Sequence, residues 1–342
     1  MTPIQTVEEL EESLSRPTWG VLKTLEAIDG DVVVLGAAGK MGPTLSRMVR
    51  RALDTLGHRK RRVIAVSRFS SQEARSSLEQ HGVETIVCDL LNPKDVQSLP
   101  TAPNVFFLAG QKFGTSDAPE LTWAMNTLVP AYIAGRYRDS RIVAFSTGCV
   151  YPLLSADGPG ANENSILGPP GDYANSCVGR ERVFTFFSKQ NKTPVLLFRL
   201  CYAIELRYGV LSDIATRIMS GSPVDVSMGV VNVIWQGDAN ARAIGSLAHT
   251  SSPPKALNVT GLERVSIRAL AMQFGKLLGR EVVFTGEESE MAWVWDASRS
   301  YELFGEPTVS LEEMIIAVSE WTLAGGPLLG KPTHFEVTSG QY

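Results

Sequence analysis

A chain of 342 residues with 44% hydrophobic and 20% charged content is long enough to bury a substantial core, and its formal net charge of −4 gives no electrostatic reason for a nucleic-acid partner. Cys88, Cys149, Cys177 and Cys201 lack Cys-x-x-Cys spacing and the four histidines are scattered, so neither a disulfide framework nor a metal site is expected. No stretch approaches the ~20 apolar residues of a membrane span and the amino terminus is neither basic nor apolar, which makes the expected location cytoplasmic, with no membrane partner.

Residues 1–30 form a helical extension, opened by the capping pair Thr6 and Glu9. From Asp31 onward, apolar runs of strand length alternate with stretches of helical period: 32–35, 63–66, 85–88, 105–109, 142–145 and 195–200. Runs that are apolar on both faces predict a doubly wound parallel sheet of Rossmann type over 31–204, with room for its last elements to arrive from later in the chain. The basic run at 58–62 falls in a helix-to-strand connection and reads as a solvated loop. Beyond residue 205 the rhythm loosens, with Pro-containing loops at 221–223 and 251–254. This region, 205–342, is expected to be a smaller α/β substrate-binding part with an irregular tail. Asp238 is expected to cap a helix to 249, Ser266 to start another, and Ser310 with Glu313 to form a capping box before Leu311–Leu323.

The run 32–35 leads directly into Gly36-Ala37-Ala38-Gly39-Lys40-Met41-Gly42 and then a helix-compatible stretch. Glycines there let the backbone turn tightly and approach a pyrophosphate, which the helix amino terminus stabilises. The spacing Gly36-x-x-Gly39-x-x-Gly42 resembles the extended short-chain dehydrogenases/reductases, the nicotinamide-dependent epimerase/dehydratase family. Further matches are Asp89-Leu90, Leu108-Ala109-Gly110, Asn126, the segment 146–151, Tyr173, Arg199 and the segment after Asp238, together spanning about 31–280. The resemblance implies an NAD(P)-binding enzyme with its cofactor held by Gly36, Ala38, Gly39, Lys40, Met41, Gly42, Asp89, Leu90, Leu108, Ala109, Gly110, Asn126, Tyr173 and position 177. Where NAD-preferring members carry an acidic residue after the second strand, this chain has Ser67-Arg68, which tilts the expectation toward NADP(H) over NAD(H).

The same resemblance assigns Thr147 to polarising a substrate oxygen and Tyr173 to acid/base proton transfer. Gly148-Cys149 replace the Asp-Glu pair of the dehydratases, so 4,6-dehydratase activity is not expected. The family's Tyr-x-x-x-Lys lysine is Cys177 here, a neutral thiol where a fixed cation is needed. Lys112 is the leading substitute cation and Arg180 the second, because 173, 177 and 180 share one helical face. The implied activity is an epimerase or dehydrogenase acting on a hydroxyl of a sugar-like or sugar-acid-like small molecule. A reductase of a non-sugar carbonyl compound and a catalytically silent NAD(P)-binding sensor or scaffold are the alternatives. Substrate contacts are expected from Thr147, Gly148, Cys149, Arg207, Tyr208 and Trp235, and the tail 330–336 is read as a surface strap by default, with a cover over the site as the alternative. The family's habit of pairing its helices implies a homodimer through 119–137 and 173–189.

Overall fold

Val32–Leu35 (β1) has Val32 and Val34 packed into one core and Val33 and Leu35 into another, so every residue of the strand is buried. A strand apolar on both faces belongs inside a sheet covered on both sides. The computed structural model, which describes residues 2–112, 114–331 and 333–340, places it there. Val63–Ser67 (β2), Glu84–Val87 (β3), Asn104–Phe107 (β4), Arg141–Thr147 (β5), Val195–Leu200 (β6) and Lys255–Val259 (β7) complete a seven-stranded sheet. Its order is β7-β6-β5-β4-β1-β2-β3, and every neighbouring pair is parallel. The chain therefore reverses direction across the sheet between β1 and β4, where the carboxyl ends of the strands open a crevice. The seventh strand comes from residues beyond 205.

The helices Trp19–Ala27, Gly42–Thr55 and Gln236–Gly245 cover one face through Val21, Leu45, Val49 and Ala243. The opposite face is covered by Pro93–Ser98, Val129–Arg136 and Asp172–Asn191 through Val96, Ile133 and Phe184. A third core lies under the carboxyl-terminal region, where Ile214, Phe274 and Trp321 come from helices and Trp293 from the segment after the short strand Met291–Ala292. No helix is long and apolar enough to cross a membrane among the described residues.

The expected extension is two helices, Val7–Leu14 and Trp19–Ala27, each started by a threonine whose hydroxyl accepts a backbone N–H: Thr6 from Glu9 and Thr18 from Val21. Such a cap contributes about 1 kcal/mol. The first helix buries Leu10 and Leu14 in the carboxyl-terminal core, whereas the second buries Val21 and Leu25 in the sheet core. The extension is thus a clamp between the two halves. Charge reinforces it: Glu11 pairs with Arg47 at 3.1 Å and Arg207 at 2.8 Å, and Glu12 pairs with Arg51 at 2.6 Å.

Ser266 and the Ser310–Glu313 box start their helices as expected. Asp238 does not. The helix begins at Gln236, and the Asp238 carboxylate instead accepts from Thr308 N, Thr308 Oγ1 and Val309 N at 2.9, 2.7 and 3.2 Å. Three donors from a crossing segment outweigh one helical N–H, and the carboxylate is used to hold that segment down.

Candidate active site

The turn after β1 is built on two glycines. Gly36 has φ of +83°, and a Cβ there would lie 2.6 Å from the Ala109 nitrogen, so the loops after β1 and β4 touch only because this residue has no side chain. Gly42 starts the helix Gly42–Thr55, and a Cβ would lie 2.4 Å from the Ala37 carbonyl oxygen, which fixes the helix close against the strand it follows. Between them Ala38 and Gly39 remain exposed at the amino end of that helix. This cradle fits a diphosphate: exposed backbone at a helix amino terminus, without side chains in the way. Arg68 and Asp89 are exposed just past β2 and β3, with Asp89 accepting from Leu91 N at 3.0 Å, and Leu90 is buried beneath. Ser67 ends β2 in register with Val87.

Across the crevice, the loop after β4 is held by Asn126. Its side-chain oxygen accepts from Gln111 N at 3.1 Å and its amide donates to Gln111 O at 3.0 Å and Ser176 Oγ at 2.9 Å. Asn126 sits in a π-helical segment, Ala124–Leu128, between Pro119–Trp123 and Val129–Arg136. The wider turn aims its amide at the loop rather than along the helix. Gly110 lies against the Arg180 guanidinium, which also donates to the Asn126 side-chain oxygen and, at 2.8 Å, to Phe145 O.

Thr147 ends β5, and Tyr173 stands in the first turn of Asp172–Asn191. Thr147 Oγ1 accepts from Cys149 N at 3.2 Å. Burial pushes the Tyr173 phenol well above its usual value, the thiols of Cys177 and Cys149 push it the same way, and Arg180 and the Thr147 hydroxyl pull it back. Cys177 is buried beneath Tyr173 and its own thiol is pushed up to about 11, by desolvation first, so it is neutral at ordinary pH. Of the two candidate cations, Arg180 lowers the Tyr173 phenol, and Lys112 lies 5.9 Å from the Tyr173 ring centroid and donates to Thr333 O at 3.2 Å.

Beside this pair is a cavity of about 160 Å³, walled by Lys40 and Met41 from the glycine loop, by Lys112 from the loop after β4, and by Thr147, Gly148 and Cys149 from the end of β5 and the turn after it. Tyr202, Tyr208, Trp295 and Thr333 close it from the carboxyl-terminal region. Trp295 Nε1 donates to Gly148 O at 2.9 Å and its ring meets Tyr202 edge-on at 5.3 Å. Tyr202 is held at φ of +45°, a conformation a bulky side chain adopts at a cost of order 1–3 kcal/mol. Below the floor, Glu181 accepts from Ser146 Oγ at 2.7 Å and pairs with Arg199 at 2.7 Å, and Arg199 donates to Tyr151 Oη at 2.6 Å. That buried network fixes the end of β5 and hence Thr147.

Solved structures superpose on this arrangement. The UDP-glucose 4-epimerase of Thermus thermophilus, in complex with NAD, matches 86% of this chain and 99% of its own with a TM-score of 0.71 at 19% identity. The UDP-glucuronic acid 4-epimerase of Bacillus cereus, in complex with UDP-glucuronic acid and NAD, matches 86% and 99% with a TM-score of 0.69 at 17% identity. A dTDP-glucose 4,6-dehydratase of Bacillus anthracis in complex with NAD matches 86% and 96%, with a TM-score of 0.69 at 15% identity. The chain has the fold of the extended short-chain dehydrogenases and epimerases. No family model matches the sequence, and no curated protein does.

Against this fold, two of the expected substrate contacts lie away from the cavity. The Arg207 guanidinium is engaged by Glu11 and Glu205, at 2.8 and 3.2 Å, and serves the clamp. Trp235 is buried in the carboxyl-terminal core, with Gly237 packed on its indole. Tyr208, one position from Arg207, does reach the cavity. The tail is more than a surface strap: Thr333 lines the cavity, its N and Oγ1 donate to Asp213 at 2.8 and 2.5 Å, and Phe335 is buried in the core. Lys40, read as a cofactor contact, also points into the cavity, its Nζ 2.5 Å from Ala203 O and 3.9 Å from the Tyr208 ring centroid.

Proposed function

We propose that the protein is a nicotinamide-dependent oxidoreductase or epimerase acting on a hydroxyl of a sugar-like or sugar-acid-like small molecule. The observation that carries this reading is Thr147 in the wall of a cavity at the carboxyl ends of the strands, with Tyr173 close by and the glycine cradle next to it. Gly36, Ala38, Gly39, Met41 and Gly42 would hold the cofactor's diphosphate, Asp89 and Leu90 its adenine end, and Leu108, Ala109, Gly110 and Asn126 the loop beside it. Bound there, the cofactor supplies the acceptor and donor of hydride. Thr147 orients the substrate hydroxyl, and Tyr173 takes its proton and returns it. Arg180, fixed by Asn126 and Phe145 O, favours the anionic phenolate in the absence of a lysine at 177.

Gly148 and Cys149 leave no acid/base pair at the end of β5 for eliminating water, which favours simple oxidation, reduction or epimerisation. Exposed Arg68 and the missing carboxylate after β2 favour NADP(H). Leu121, Trp123, Leu128 and Phe186 are exposed on the helices Pro119–Trp123 and Asp172–Asn191 and the π segment between, and support a homodimer built on those helices. The raised Tyr173 phenol and the neutral Cys177 favour one other reading, a protein that binds the dinucleotide without turning it over. Incubation with NAD or NADP and a panel of sugars, sugar acids and nucleotide sugars separates the two. Reduced nicotinamide, or inversion at one carbon seen by NMR, supports the enzyme; tight dinucleotide binding with neither supports the sensor.

A further inference from the structure

Two lysines face the cavity from opposite sides of the point where the chain reverses across the sheet. Lys40 comes from the loop after β1 and Lys112 from the loop after β4. Among the described residues no Asp or Glu lines the cavity with them. The nearest carboxylates are engaged elsewhere: Glu205 with Arg207 at 3.2 Å, Asp213 with Thr333, and Glu336 with Arg217 at 3.3 Å. Two lysines at one cavity wall that carries no carboxylate favour the entry of an anion. Thr147 lines the same wall, so an anion there lies beside the hydroxyl that would react.

We propose that the substrate is a hydroxy-acid whose carboxylate is received by Lys40 and Lys112. This rests on the hydroxyl-oxidising reading above and specifies its substrate class.

The proposal has a pH signature. Burial pushes the Lys40 ammonium down to about 7; Glu205 and Asp213 act to raise it and Arg207 and Lys112 to lower it, while the Tyr208 ring packs on it. An entering carboxylate favours the charged form and raises that value, so binding takes up a proton near neutral pH. The affinity for the acid therefore falls as pH rises above about 7.

Calorimetry on the NAD-loaded protein tests this with matched pairs: galacturonate against galactose, gluconate against sorbitol, and UDP-glucose as the nucleotide arm. Each acid is expected to bind at least about ten-fold tighter than its neutral partner, ~1.4 kcal/mol, with proton uptake seen as a dependence of the heat on buffer ionisation enthalpy. In Lys40→Met and Lys112→Met the preference collapses toward unity. Equal binding of acid and neutral partner, no binding of any acid, or preferred binding of UDP-glucose overturns the proposal. So does loss of NAD affinity in both variants with the acid preference intact, because the lysines would then serve the dinucleotide phosphates. If a variant fails to fold, the wild-type pairs and their pH dependence decide. NAD binding and turnover of neutral sugars by the wild type would leave the oxidoreductase reading standing while this one falls.

Discussion

The glycine-loop side of the molecule and the cavity wall supplied by residues beyond 200 are held together by different means. On the first side geometry is set by backbone: Gly36 and Gly42 permit contacts with Ala109 and Ala37 that any side chain would break. On the second it is set by side chains from scattered elements, with Trp295, Tyr202, Tyr208 and Thr333 brought together by the core beneath them and by the clamp through Glu11 and Arg207. A backbone-built site tolerates no added atom at a few positions. A side-chain-built wall tolerates substitution at each lining residue but depends on the elements that carry it.

Five changes sharpen that contrast. Arg207→Met leaves Glu205 buried without its cation and releases the Glu11 clamp, with an expected loss of about 3–5 kcal/mol in chemical denaturation. Because Arg207 faces away from the cavity, dinucleotide affinity measured on the folded fraction should change little. Gly42→Ala forces a Cβ into the Ala37 carbonyl and is expected to cost about 1–3 kcal/mol, together with most of the dinucleotide affinity. A loop that bound dinucleotide equally well after this change would break the idea of a backbone-built site.

Arg180→Met removes the cation that lowers the Tyr173 phenol, so the activity-linked pKa should move further up, and Lys112→Met should move it less. The reverse order in pH–rate profiles would make Lys112 the principal cation. The smallest effect belongs to Arg68→Ala: this exposed side chain should change the NADP/NAD affinity ratio by only a few-fold, about 1 kcal/mol. An unchanged ratio removes Arg68 from cofactor choice.

The same contrast explains what the sequence could and could not reveal. Both-face apolar runs such as 32–35 and 195–200 located the strands because burial on two faces leaves no polar positions, and the Thr6/Glu9 and Ser310/Glu313 pairs marked helix starts by local hydrogen bonding alone. Strand ends were less legible. β5 extends from Arg141 to Thr147, beyond the apolar run, because ladder pairing with β4 and β6 continues through polar residues. Of the site, the glycines, Asn126, Thr147 and Tyr173 lie in local patterns. Lys40 was visible as part of the glycine run, but its reach to Ala203 was not, since that contact spans the two halves. Tyr202, Trp295 and Thr333 belong to no motif, and only the folded carboxyl-terminal core brings them to one cavity. The buried pair of Glu181 with Arg199 left a signal in Arg199 alone, because Glu181 on a helix reads as an ordinary surface acid.

The central claim is that Tyr173 transfers the proton in a cofactor-dependent hydride reaction although position 177 offers no lysine. Its most direct test is a paired measurement on the wild type and Tyr173→Phe: dinucleotide affinity by fluorescence titration, and single-turnover hydride transfer with a substrate the wild type accepts. The predicted result is equal dinucleotide binding in both proteins, with transfer about 10²–10⁴-fold slower in the variant. Equal transfer rates in the two proteins would contradict the account.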